Sequence, residues 1–154
     1  MGDVYFYHLT RRPLEAALSM LLERALQAGW KIDVRGTDPR RMAWLDDKLW
    51  QGPEESFLPH GLAGGPHDAL QPVLLTSERQ EPGDRRCVMS VDGAELSAEE
   101  VTALDRACIL FDGGDEMALQ KARGQWKALT TAGCKAQYWS EESGRWEKKA
   151  ESGG

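Results

Sequence analysis

Two hydrophobic periods alternate along this chain. Residues 3–8 (DVYFYH) are a dense run of β-branched and aromatic side chains, the composition of a buried strand. From residue 10 to residue 28 the spacing becomes helical. Leu14, Leu18, Leu21, Ala25 and Ala28 fall on one face, with Pro13 in the first turn and Gly29 as the stop. Residues 30–35 (WKIDVR) return to a strand. Asp38 and Pro39 then open a second helix, as its cap and first residue. Met42, Leu45 and Leu49 form its buried stripe. Trp44 lies on the opposite side, and Trp50 at the stripe's edge.

Periodicity disappears over residues 51–71, a long loop rich in glycine and proline. Short strands are expected at 72–76 (PVLLT) and 87–91, with a polar turn cornered by Pro82, Gly83 and Asp84 between them. Ser97 and Glu100 fit a capping box heading a helix over 98–107. Residues 108–111 (CILF) form the next strand. Asp112-Gly113-Gly114-Asp115 turns into a helix that ends at Gly133, and 135–140 (KAQYWS) is the last clear strand. The charged, small-residue end from Glu147 is expected to fray. Trp139 and Trp146 are expected to cover the sheet edge. Alternating strands and helices predict a mainly parallel sheet with helices on both faces. One α/β domain is expected over residues 1–140, followed by a C-terminal extension, 141–154.

The 154-residue length fits one domain, and 41% hydrophobic residues suffice for one core. No apolar run approaches a membrane span of about 18 residues. The first residues, MGDVYFYHL, lack the basic and apolar regions of a secretory signal, so a cytoplasmic location is expected. Three widely spaced cysteines, Cys87, Cys108 and Cys134, suit buried free thiols rather than a disulfide framework. A net charge of −6 disfavours direct, strong binding to nucleic acid, which is held through its phosphates.

Enzymatic chemistry finds no support in the motifs. The turn HLTRRP after the first strand has no glycine to approach a pyrophosphate, and GLAGG lacks the lysine and hydroxyl of a P-loop. There is no G-x-S-x-G elbow. His60, His67 and Asp68 match no metal-site spacing. They stand as the alternative reading, a small α/β hydrolase or nucleotide enzyme. No cofactor and no metal are expected.

The last helix, DEMALQKARGQWKALTTA, carries more. Leu119, Ala122, Trp126 and Leu129 line one face, with Arg123 and Lys127 along its border at i and i+4. Such a stripe is first of all a core face with two basic side chains reaching outward. It also suits a ligand with a ring for the slot and a carboxylate for the guanidinium. Trp50 and Phe57 pose the same choice. They are anchors folded onto the core, or an aromatic patch for a partner.

The segment LDDKLWQGPEESFLPHGLAG (residues 45–64) resembles the signature of the chi-subunit family of bacterial DNA polymerase III. That signature runs Leu-Asp-x-x-Leu-Trp, then Ser-Phe-hydrophobic-Pro-His, then small residues. The F-Y-x-L of the first strand, the A-R-x-x-aromatic-K of the late helix and the Ala-Gly after it fit as well, so the resemblance covers about residues 4–139. It implies a three-layer α/β/α sandwich and a non-catalytic adaptor at the clamp loader. Arg123, Trp126 and Lys127 would then take the acidic C-terminal tail of single-stranded-DNA-binding protein. Trp50 and Phe57 would meet the psi subunit or a helicase-like repair protein, with DNA contacted only indirectly. The chain departs from the family at Leu119, where a lysine is common, and at Asp112, where an apolar residue is common. Lys121 is expected to point elsewhere on the helix.

Overall fold

A computed structural model describes residues 3–10, 13–50, 61–62, 72–77, 86–141 and 146–152. The elements run β1 (Asp3–Leu9), α1 (Leu14–Gln27), β2 (Ile32–Arg35), α2 (Pro39–Trp50), β3 (Gly61–Leu62), β4 (Val73–Thr76), β5 (Cys87–Ser90), α3 (Ala98–Ala103), β6 (Arg106–Asp112), α4 (Glu116–Thr131), β7 (Lys135–Ser140) and β8 (Glu147–Ser152). The strands form one sheet in the order β3-β4-β2-β5-β6-β1-β7-β8. Every pairing among them is parallel except β7 with β8.

Strand alternation divides the core in two. In β1, Val4 and Phe6 face one side of the sheet, and Tyr7 and Leu9 face the other. In β6, Ala107, Ile109 and Phe111 join the first set, while Cys108 and Leu110 join the second. Helices α1 and α2 cover the Tyr7 side through Leu18, Leu22, Met42 and Leu45. Helices α3 and α4 cover the Phe6 side through Val101, Ala122 and Leu129. The result is the three-layer α/β/α arrangement, with strands buried on both faces as parallel sheets require.

The caps explain the helix limits. Pro13 is the N-cap of α1 in extended backbone (ψ 160°), so the helix begins at Leu14 rather than at residue 10. Asp38 Oδ1 accepts from Arg40 N at 2.9 Å ahead of α2. Ser97 and Glu100 form the complete capping box of α3. That helix is shorter than its pattern suggests. Leu104 takes extended backbone and turns into the core, which lets β6 begin at Arg106. Asp115 Oδ1 accepts from Met117 N and Ala118 N and opens α4. Gly133 closes it at φ +95°, a conformation that favours glycine.

The C-terminal end differs from expectation. Glu147–Ser152 does not fray but adds β8 to the sheet, with a register shift at Tyr138/Trp139. Its charges alternate with a sheet edge instead of a core, so hydropathy alone hid it. Trp139 and Trp146 pack against the α1-side core, Trp146 standing edge-on to Tyr7 at 5.3 Å. The expected corner at Pro82, Gly83 and Asp84 lies outside the described residues.

Candidate functional site

The site anticipated on α4 stands over the carboxyl half of β1 and β7. Their parallel register sets Phe6 opposite Tyr138. Trp126 lies across both, edge-on to Phe6 at 5.3 Å and to Tyr138 at 6.1 Å. Phe111 of β6 completes the floor, 5.9 Å from Tyr138. His8 packs 5.2 Å from Phe111, and its Nδ1 is hydrogen-bonded to Tyr138 Oη at 2.7 Å.

Trp126 is half-buried, so neither simple reading of the helix stripe holds alone. Its inner edge belongs to the core beside Ala122 and Leu129, and its outer part stays accessible. Arg123 and Lys127 are exposed on the border, one turn apart. Neither has an ion-pair partner among the described residues, whereas Lys121 stands 4.0 Å from Glu95 on the far side of the helix. A half-buried ring with two neighbouring cations can receive an aromatic group and a carboxylate together.

Both departures from the family pattern have a local structure. Leu119 is half-buried against the core and so contributes apolar surface in place of charge. Asp112 is exposed at the end of β6, where its Oδ1 accepts from Gly114 N at 2.8 Å. It shapes the turn into α4, but its negative charge opposes an acidic partner at that end.

A cavity of about 1060 Å³ lies between α1, α2 and α4 at the carboxyl edge of the sheet. Glu15, Asp92, Asp112 and Asp115 line it against Arg41 and Lys121, an unfavourable field for an acidic peptide. Trp44 borders it, and Arg41 explains that tryptophan's exposure. The guanidinium stacks 4.2 Å from the Trp44 ring while its Nε meets Asp92 Oδ2 at 3.0 Å.

The remaining sequence candidates are placed less fully. Trp50 closes α2. Phe57, His60, His67 and Asp68 lie outside the described residues. All three cysteines are free and buried. A hydrogen bond with Cys108, together with burial, pushes the Cys87 thiol well up; burial pushes Cys134 up as well. Neither is an activated nucleophile. No group of three His, Cys, Asp or Glu among the described residues could hold a metal ion. Sequence reading missed His8, Phe6 and Tyr138 as parts of one cluster. Alternation in each strand set their faces, but only the β1–β7 pairing brings them together.

The fold and this face define a three-layer α/β protein that presents an aromatic and basic helix face. The family described as DNA polymerase III chi subunit, HolC, matches residues 1–137, and the chain belongs to that family. It is 25% identical over 117 residues to the probable DNA polymerase III subunit chi of Rickettsia prowazekii, covering 73% of this chain and 71% of the relative. It is 29% identical over 141 residues to DNA polymerase III subunit chi of Escherichia coli, covering 86% and 94%. The family is one of accessory, non-catalytic replication subunits, which sets aside the hydrolase or nucleotide-enzyme alternative. No helix among the described residues is long and apolar enough to cross a membrane.

Proposed function

We propose that this chain is a cytoplasmic adaptor of the polymerase III clamp-loader complex, and that α4 binds the acidic C-terminal tail of single-stranded-DNA-binding protein. One observation carries the site assignment. Arg123 and Lys127 stand exposed beside the open part of Trp126, without a partner among the described residues. A terminal aromatic residue would lay its ring on Trp126 and give its carboxylate to Arg123, while Lys127 would attract acids further up the tail. Such a shallow, charged face favours modest affinity with a strong salt dependence. DNA is reached only through the tail's own protein.

Trp50 and Phe57 form the second proposed surface, for the psi subunit or a helicase-like partner. Family membership supports a partner within the polymerase complex, and the signature around these two aromatics supports their part in it.

Titration of a fluorescent tail peptide against wild type and Arg123→Ala tests the first surface. A loss of about tenfold is expected from removing one charge-assisted, bidentate contact. Equal affinities would remove Arg123 from the site. For the second surface, a Trp50→Ala, Phe57→Ala double variant should keep its melting temperature and lose capture of psi. A collapsed fold returns those residues to the core.

A further inference from the structure

A second gathering of rings and guanidinium groups lies on the opposite face of the sheet. Helix α1 leads from β1 across to β2, away from β7, and Trp139 and Trp146 pack beside it. They enclose a cavity of about 380 Å³ together with Trp30, Tyr7, Arg24 and Arg106. That volume is in the range of small-molecule sites.

Arg106 is the central group. Its guanidinium carbon stands 4.0 Å from the Tyr5 ring centre and 5.4 Å from that of Trp30. These rings offer the guanidinium N–H groups no conventional hydrogen-bond acceptor. The Nε atom is buried and has no hydrogen-bond partner among the described residues. An orphaned donor of a charged group is costly unless something accepts from it. Arg24, exposed on the last turn of α1, brings a second positive charge to the same cavity.

The charge balance is one-sided. Among the described residues no aspartate or glutamate lines this cavity, although the chain carries −6 and four carboxylates line the larger cavity. Tyr7 and Cys87 beside the smaller cavity are held in their neutral forms. Burial raises the Tyr7 hydroxyl, and its bond to Cys108 together with burial raises the Cys87 thiol. Two cations therefore face three indoles with no carboxylate among the described lining residues.

We propose that this cavity binds a small aromatic anion, with its ring among Trp30, Trp139 and Trp146 and its carboxylate or phosphate on Arg24 and Arg106. The site is separate from the α4 face, which lies across the sheet, and does not depend on the tail assignment.

Indole N–H signals of the full chain, followed by NMR, provide the test. Benzoate and phenyl phosphate are the probes, with neutral benzamide and inorganic phosphate as controls. Saturable shifts at Trp30, Trp139 and Trp146 are expected with at least one aromatic anion; which one binds tighter distinguishes a carboxylate from a phosphate ligand. Binding should weaken about tenfold in Arg24→Ala and in Arg24→Gln. Arg123→Ala should leave it unchanged, which separates this site from the tail face. The proposal is overturned if these indoles do not shift, if benzamide binds equally well, if inorganic phosphate matches phenyl phosphate, or if both Arg24 variants bind like wild type.

Discussion

His8 and Tyr138 are joined across β1 and β7 by a 2.7 Å hydrogen bond, with their rings nearly perpendicular at 89°. The bond fixes the ring against which Trp126 rests. Tyr138→Phe keeps that ring and removes only the hydroxyl. The expected cost is about 1 kcal/mol, or about 2–4 °C in Tm for a chain of this size. The tail peptide should lose only a few-fold in affinity, since Trp126 keeps its packing. A thermal melt beside a peptide titration checks both, and an unchanged Tm would show that the bond does not hold the strands.

Gly113 controls the same histidine from above. A Cβ placed on Gly113 would lie 1.8 Å from His8 Nε2 and 2.0 Å from its Cδ2, inside any real contact distance. Gly113→Ala must therefore displace the imidazole and disturb its bond to Tyr138. Overpacking of this kind costs about 1–3 kcal/mol. Combining Gly113→Ala with Tyr138→Phe should cost less than the sum of the two, because both break the same bond. Strictly additive losses in chemical denaturation would place the strain elsewhere.

These two residues also mark what the sequence could convey. Cap residues such as Asp38, Ser97 and Asp115 announced their helices because capping is local chemistry. The buried stripe of α2 and the alternation of β1 were equally local. The order of the strands was not, since β1 lies between β6 and β7, far away in the chain. The His8–Tyr138 pair spans 130 positions and follows from that order alone. Helix α4 was legible in part. Spacing placed Arg123 and Lys127 on the border of the stripe, but not how much of Trp126 the core would take. The edge strand β8 carries no hydrophobic period, so nothing in its composition set it apart from a loose tail.

Arginine should be irreplaceable at the proposed tail site. Arg123→Lys keeps the charge but loses the planar fork that grips a carboxylate. Affinity should fall nearly as far as in Arg123→Ala, while the dependence on salt stays close to that of wild type. Lys127→Ala should do the reverse, lowering affinity modestly and flattening the salt dependence. Peptide titrations across a range of salt concentrations separate the two. A lysine that fully restores binding would mean that Arg123 acts as a point charge only.

The buried thiols set an alkaline limit on stability. An unfolded cysteine ionises near pH 8.5, while folding holds Cys87 and Cys134 protonated above their ordinary range. Their contribution is complete below the unfolded value. It declines as pH rises toward the raised folded values, because the unfolded chain then releases protons that the native chain retains. Urea denaturation should show falling stability from about pH 8.5 upward. Cys87→Ala should flatten that slope, and a slope unchanged in the variant would assign it to other groups.

Glu100 ties α3 to the sheet with the two oxygens of one carboxylate. Oε2 lies 2.7 Å from Arg35 Nη1 at the end of β2, and Oε1 accepts from Ser97 N at 3.3 Å in the capping box. The Arg35 side chain is only 6% exposed, so the loss of its partner leaves a charge with little water around it. Glu100→Ala removes both functions and should cost about 3–5 kcal/mol. Glu100→Gln can still complete the cap, so the difference between the two variants isolates the cap at about 1 kcal/mol. Adding Arg35→Met to Glu100→Gln should recover stability, because an uncharged side chain of similar length replaces a stranded charge. If the double variant is instead less stable than Glu100→Gln alone, Arg35 stabilises the fold through its other contact, the Glu95 carbonyl oxygen that accepts from Nη1 at 3.4 Å. Urea denaturation of the three variants decides between the two accounts.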